Sequence, residues 1–216
     1  MLKHSFSITL VICVFFLISC VGLPYGTSAA TSKPQCSCGL CHFDDLIAEK
    51  PELPLYIMGQ GKVSAENMAR FLLENNPGAN QGFVRTLAQY YVEEAAFEGV
   101  NHDIAFVQMC LETGFLRFGG DVRPEQFNFA GLGAIGNGEP GLSFPNPRIG
   151  VRAQIQHLKA YGSTEPLKGE LVNPRFRFVR RGIAPTYEGL AGTWAADRQY
   201  AVKINAIMQR LYDFSF

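Results

Sequence analysis

The chain has no excess of charge of either sign. Nineteen Lys and Arg stand against nineteen Asp and Glu in 216 residues. A general nucleic-acid binder shows a basic excess, so composition gives that class no support. No apolar run is long enough for a plain membrane span. The best, Ile8 to Leu17, is broken soon after by Pro24 and Gly26, where a helical span needs about 20 apolar residues. There is no Gly-x-Ser-x-Gly, no internal repeat and no low-complexity tract. His102 and His157 lack metal-ligand spacing, so neither a metal nor a cofactor is expected. One motif that is present misleads. Gly131-Leu-Gly133-Ala-Ile-Gly136 matches G-x-G-x-x-G, but Asn137-Gly138-Glu139-Pro140-Gly141 follows it. That run starts a helix poorly, and a dinucleotide site needs a helix there to meet the pyrophosphate.

The N-terminus reads as a targeting segment, residues 1–29. Lys3 precedes the apolar core, and two cleavage patterns compete. Leu17-Ile-Ser-Cys20 has the form of a bacterial lipobox, which would leave Cys20 as a lipidated N-terminus. Thr27-Ser-Ala-Ala-Thr31 offers the small residues of an ordinary signal peptidase site. The lipobox is preferred and plain secretion stays open. Both place the mature protein outside the cytoplasm, anchored to the cell envelope by lipid or secreted. Residues 30–52 form a linker with Pro34 and Pro51. It holds Cys36, Cys38 and Cys41 beside His42. Cys38-Gly-Leu-Cys41-His42 fits C-x-x-C-H, and the whole cluster could hold a metal. A haem needs an apolar pocket and usually a second axial ligand. A Pro-flanked tether supplies neither, so the reading kept is a linker with disulfide-bonded or free thiols.

The domain, residues 53–216, is read as mainly helical. Ser64 caps a helix that Asn76-Pro77-Gly78 stops. A second runs to Gly99, and a third starts near Asn101 and ends at Gly114. Val151, Ile155 and Leu158 share one helical face. Tyr200, Ile204, Ile207 and Leu211 share another. The Gly- and Pro-rich stretch Asn128 to Pro147 suits a small β-hairpin turning at Asn137-Gly138.

The third helix poses the chemical question. From Ile104 to Leu111 its only polar side chain is Gln108, yet it closes on Glu112, then Thr113 and Gly114. Desolvation raises a carboxyl pKa, and the negative end of the helix dipole acts the same way. A carboxyl group kept protonated near neutral pH is what glycosidic bond cleavage needs at the leaving oxygen. Cys110, in the same apolar setting, reads as a small core residue.

The segment "GVNHDIAFVQMCLETGFLRFGGDVRPEQFNFAGLGA" resembles the core of the glucosaminidase family of peptidoglycan hydrolases (glycoside hydrolase family 73 and relatives). There a helix delivers a Glu in an E-S-G or E-T-G context, and a loop leads to N-N-F-x-G-[IL]-G. Here that segment is Phe127 to Gly133. Further likeness runs from about Tyr56 to Leu211. The resemblance implies a mainly α (α+β), lysozyme-like fold: a helical lobe, a small β-hairpin lobe and a glycan cleft between them. It implies hydrolysis of the β-1,4 bond after N-acetylglucosamine by a monomer acting on peptidoglycan strands. A lytic transglycosylase or a non-catalytic glycan-binding lipoprotein of the same fold are the alternatives.

Glu112 carries over as general acid, and Asn128 and Phe129 as cleft residues. Tyr187, in the closing region, is placed with the substrate-binding group. The family's Y-A-T-D-P-x-Y motif reads here Trp194-Ala-Ala-Asp197-Arg-Gln-Tyr200. The first Tyr hydroxyl is therefore gone, and Trp194 stands as a sugar-stacking or core residue. Asp121 and Glu125 lie near in sequence, and Asp121 is assigned to substrate binding. Glu139, at the expected hairpin tip, is the first candidate for a second catalytic carboxylate. The run Arg175, Arg177, Arg180 and Arg181, interleaved with Phe176 and Phe178, is either a contact for anionic wall polymer or a solvated face over a buried Phe pair.

Overall fold

The computed structural model describes residues 50–134, 136, 138 and 140–216. The targeting segment, the Cys36–His42 cluster, Glu139 and the centre of the expected hairpin turn lie outside the described residues. Among the described residues five α-helices follow in order: α1 (Ala65–Asn75), α2 (Gln81–Glu98), α3 (His102–Thr113), α4 (Pro147–Gly162) and α5 (Tyr200–Ser215). Short 3-10 turns occupy Pro124–Gln126, Phe176–Phe178 and Tyr187–Leu190. Among the described residues the β contacts are isolated bridges, Tyr56 with Thr186, Met58 with Val100 and Ala191 with Ala195. The mainly helical expectation holds. On either side of the expected hairpin turn, Leu142 N–H donates to the Leu132 carbonyl at 2.8 Å.

Side-chain caps start four helices. Ser64, Asn80, Asn101 and Asn146 each accept backbone N–H groups of their first turn. Gly99 and Gly114 close α2 and α3 in the left-handed conformation. Helix α3 runs through the middle and is buried on all sides from His102 to Cys110. It packs against α2, α4 and α5. Cys110 is fully buried and its thiol pKa is pushed far up, chiefly by desolvation, as a core residue requires.

Buried charges tie the helices together. Glu98 of α2 accepts from Lys159 Nζ of α4 at 2.9 Å and from the N–H groups of Lys168 and Gly169. Both charged side chains are essentially inaccessible. Desolvation pulls the Glu98 pKa up, but these donors outweigh it and hold it below the ordinary range. Asp103, at the start of α3, accepts from Lys62 N–H, Val63 N–H and Tyr212 Oη. It thereby fastens the strap before α1 and the end of α5 to the central helix. At Gly150 of α4 an added Cβ would lie 1.8 Å from the Phe127 carbonyl oxygen. Only glycine lets the helix pass so close to the loop that follows α3.

Removing one partner of the buried pair should expose its cost. Lys159→Met leaves Glu98 inside without its cation and should lower unfolding free energy by about 3–5 kcal/mol. Urea denaturation measures this. Lys159→Met with Glu98→Gln should recover part of the loss.

Candidate active site

Glu112 sits in the last turn of α3 and its carboxylate reaches the side of α5. Its Oε1 accepts two hydrogen bonds, from Tyr200 Oη at 2.5 Å and from Trp194 Nε1 at 3.1 Å. Among the described residues no donor reaches Oε2. That oxygen faces Gly131, whose added Cβ would lie 3.8 Å from it. Desolvation raises the Glu112 pKa above its ordinary value, while the Tyr200 and Trp194 hydrogen bonds pull it back in part. A proton taken up by this group goes to Oε2, because Oε1 is already occupied by two donors.

The Tyr200 hydroxyl is itself held. Gln108 Nε2 donates to it at 3.0 Å, and Gln154 Nε2 donates to Gln108 Oε1 at 2.9 Å. Tyr91 Oη donates to Gln154 Oε1 at 2.6 Å. All four side chains of this series are buried. Every donor in it points towards Glu112, so each hydrogen bond polarises the next in the direction that favours charge on Oε1. Desolvation, followed by the nearby Glu112, pushes the Tyr200 pKa well up, so its hydroxyl stays protonated and donating.

Two hollows flank the carboxylate and share Gly131 and Ala134. One, about 120 Å³, is lined by Glu112, Asp121, Asn128 and Phe118. The other, about 270 Å³, is lined by Trp194, His157, Tyr161 and Arg175. The Trp194 ring packs edge-on to His157 and tilted on Tyr161, with centroids 5.0 and 5.4 Å away. It is half-buried rather than sunk in the core.

The expected site residues separate on this frame. Glu112, Trp194, Asp121 and Asn128 come together. Asp121 Oδ1 accepts from Gly138 N–H at 3.0 Å. Asn128 is buried, and its amide is spent on the loop: Oδ1 accepts from Leu132 N–H, and Nδ2 donates to the Leu132 and Leu142 carbonyls. It shapes the hollow and has no free polar end. Phe129 is a correction. Its side chain is 1% exposed and packs in the helical core, because Asn128 turns inward to clamp the loop and carries its neighbour with it. Tyr187 is also placed elsewhere. It is buried against α5, donating to Asn205 Oδ1 at 3.0 Å. Glu125 is exposed and lines a separate hollow with Arg123. The Phe pair of the basic run is not buried. Phe178 is 63% exposed, because the guanidinium groups of Arg175 and Arg177 lie over its ring and it needs no core.

Tyr200, Gln108 and Gln154 were not anticipated. Tyr200 reads from sequence as one apolar position among several on α5. The available signal was the spacing of Gln108 and Glu112, one helical turn apart on the same face. Where the motif has its first Tyr, Trp194 brings an indole N–H to Glu112 Oε1, and Tyr200, the closing Tyr, brings its hydroxyl to the same oxygen.

Comparison with known proteins identifies the family. Residues 88–213 match the family described as mannosyl-glycoprotein endo-β-N-acetylglucosaminidase. The chain belongs to this glucosaminidase family. It is also 44% identical over 160 residues to a protein of Borreliella burgdorferi described as uncharacterized, an alignment covering 74% of this chain and 78% of that one. The family is one of glycoside hydrolases of the peptidoglycan-cleaving type, and its matched stretch takes in Glu112, Trp194 and Tyr200 alike.

Tyr200→Phe removes the first of the two hydrogen bonds that lower the Glu112 pKa. The carboxyl titration should therefore move to higher pH, read from the 13C resonance of labelled glutamate. Gln108→Leu, which frees the Tyr200 hydroxyl to turn, should move it in the same direction by less.

Proposed function

We propose that this glucosaminidase-family protein is an exported peptidoglycan hydrolase that cleaves the β-1,4 bond after N-acetylglucosamine, with Glu112 as general acid. The observation that carries the reading is the one-sided environment of the Glu112 carboxylate. Oε1 is fixed by Tyr200 and Trp194, whereas Oε2 is bare and borders the space at Gly131 where the two hollows meet. A proton on Oε2 can pass to a glycosidic oxygen lying across Gly131. As it leaves, negative charge grows on the carboxylate, and the Tyr200 hydroxyl and Trp194 N–H are already aimed at Oε1 to receive it. Donors set in place before the charge develops need no reorganisation during the reaction.

Trp194 fits the role of a sugar-stacking wall, held by an edge-on contact with His157 and a tilted one with Tyr161. Asp121 is the described carboxylate that shares a hollow with Glu112, and it suits water or sugar binding opposite the acid. Glu139, outside the described residues, keeps its place as candidate partner, and the acetamido group of the substrate can serve the same end. Export follows from the N-terminal reading, with a lipid anchor at Cys20 or plain secretion.

Glu112→Gln keeps the shape and cannot protonate the leaving oxygen. Activity on purified peptidoglycan should fall about a hundred- to ten-thousandfold, with circular dichroism unchanged. A variant that still cleaves at near-normal rate overturns the assignment. Because the folded-state pKa is raised, wild-type activity should fall as pH rises through it. The stability linked to this group is full below the unfolded carboxyl pKa and is lost over the same rise, so Glu112→Gln should melt at an equal or higher temperature than wild type at neutral pH. Trp194→Ala should weaken binding to glycan strands and leave the fold intact. Unfolding of Trp194→Ala would mean that the ring acts as core.

A further inference from the structure

The hollow beside Trp194 contains two polar groups that the hydrolytic reading does not use. Arg175 lines it, and among the described residues no carboxylate lies within ion-pair distance of its guanidinium. Its planar head rests on the exposed Phe178 ring, 5.2 Å from the centroid, which steadies it without neutralising it. His157 also lines the hollow and is 9% exposed. Its tautomer follows from its neighbour. Asn173 Oδ1 accepts from the Arg175 backbone N–H at 2.9 Å, so the other end of the amide, Nδ2, faces His157 Nδ1 at 2.8 Å and donates to it. Nδ1 is thus an acceptor and the hydrogen is on Nε2. Among the described residues that Nε2–H has no partner. Burial first, and then the Arg175 charge, pushes the His157 pKa down to about 4, so the ring is a neutral donor at physiological pH. Asn173 therefore positions both groups at once: its carbonyl holds the Arg175 backbone and its amide sets the histidine.

An uncompensated guanidinium and an unpartnered imidazole N–H lining a cavity of about 270 Å³ next to a sugar-stacking ring make a receptor for an anionic oxygen group. We propose that Arg175 and the His157 Nε2–H bind a carboxylate carried by the sugar residue held at Trp194, so that the site selects glycans with acidic substituents over neutral ones. This rests on the peptidoglycan reading. Two carboxylates of that polymer have the right chemistry: that of the lactyl ether when its peptide is absent, and those of the stem peptide when it is present. In both cases Arg175 is a specificity determinant and takes no part in bond cleavage.

The full chain bearing Glu112→Gln, which holds substrate without cleaving it, allows binding to be read by calorimetry. Three probes are needed: peptide-free strands with free lactyl carboxylates, the same strands with those carboxylates converted to neutral amides, and peptide-bearing strands. Adding Arg175→Gln should weaken binding to a carboxylate-bearing probe about ten- to hundredfold and leave the amidated strands unchanged. Selective loss on peptide-free strands assigns the lactyl group, and loss confined to peptide-bearing strands assigns the stem. Arg175→Lys should retain part of the selectivity, and melting temperatures should match, since Arg175 is exposed. An equal loss on charged and neutral probes, or no loss on any, overturns the proposal. Wild-type protein that cleaves peptidoglycan while Arg175→Gln still prefers charged over amidated strands as the parent does sinks this inference alone. Wild-type protein that neither binds nor cleaves any of the strands sinks the hydrolytic reading with it.

Discussion

The hydrogen bond from Tyr200 to Glu112 is the constraint on which the site depends. It joins the last turn of α3 to the first turn of α5, and it settles which carboxylate oxygen is used by the protein and which is left over. Gln108, one turn before Glu112, keeps that hydroxyl from rotating away. Gln154 of α4 then fixes Gln108, with its amide also on the Ala105 carbonyl. Three helices thus agree on the position of one oxygen. A buried polar series of this kind is costly unless every member is satisfied, and here each is.

Comparison with the buried acids shows how Glu112, which is exposed to solvent, differs. Asp103 is surrounded by two backbone N–H groups and a Tyr hydroxyl. Glu94 is held by the guanidinium groups of Arg148 and Arg152. Glu98 has a lysine and two backbone N–H groups, enough to lower its pKa despite burial. These carboxylates are compensated on both oxygens and serve as fasteners. Glu112 keeps an exposed surface that they lack, has donors on one oxygen and no cation, and partial desolvation leaves its pKa raised. Among the described residues, what separates Glu112 from these fasteners is the oxygen left without a donor.

Most of the helices, the Ser64 and Asn101 caps and the raised pKa of Glu112 were legible in the sequence because they are local. Periodicity, an Asn or Ser before a helix and a carboxylate ending an apolar run need no tertiary knowledge. Trp194 was legible as an alternative between sugar wall and core, and the structure brings its indole N–H to Glu112. Phe129 was misplaced because a family pattern marks a loop position and says nothing of which way the ring turns. Asn128, using its whole amide on the loop, drives that ring inward. The role of Tyr200 was hidden by its own helical pattern, since a Tyr on an apolar face reads as core until the partner of its hydroxyl is known. Of the two readings of the Phe176–Phe178 run, the buried Phe pair fails, since Phe178 stays largely exposed beneath the Arg175 and Arg177 guanidinium groups.

The chain just after Glu112 carries the remaining cost. Gly114, Phe115 and Leu116 all have φ near +60°, as does Phe118. For residues with a side chain each such conformation costs on the order of 1–3 kcal/mol. The strain is offset locally. Thr113 Oγ1 donates to the Met109 carbonyl and accepts from Leu116 N–H, and Asn76 Nδ2 donates to the Phe115 carbonyl. Phe115 packs on Phe71, with Arg210 over both rings. A left-handed turn of this tightness ends α3 at once and doubles the chain back, so that Phe118, Gly120 and Asp121 line the same hollow as the acid they follow. The strained reversal leaves Glu112 at the rim, exposed at the end of its helix and open on one oxygen. The Thr of the Glu-Thr-Gly triplet is the residue that holds the reversal closed.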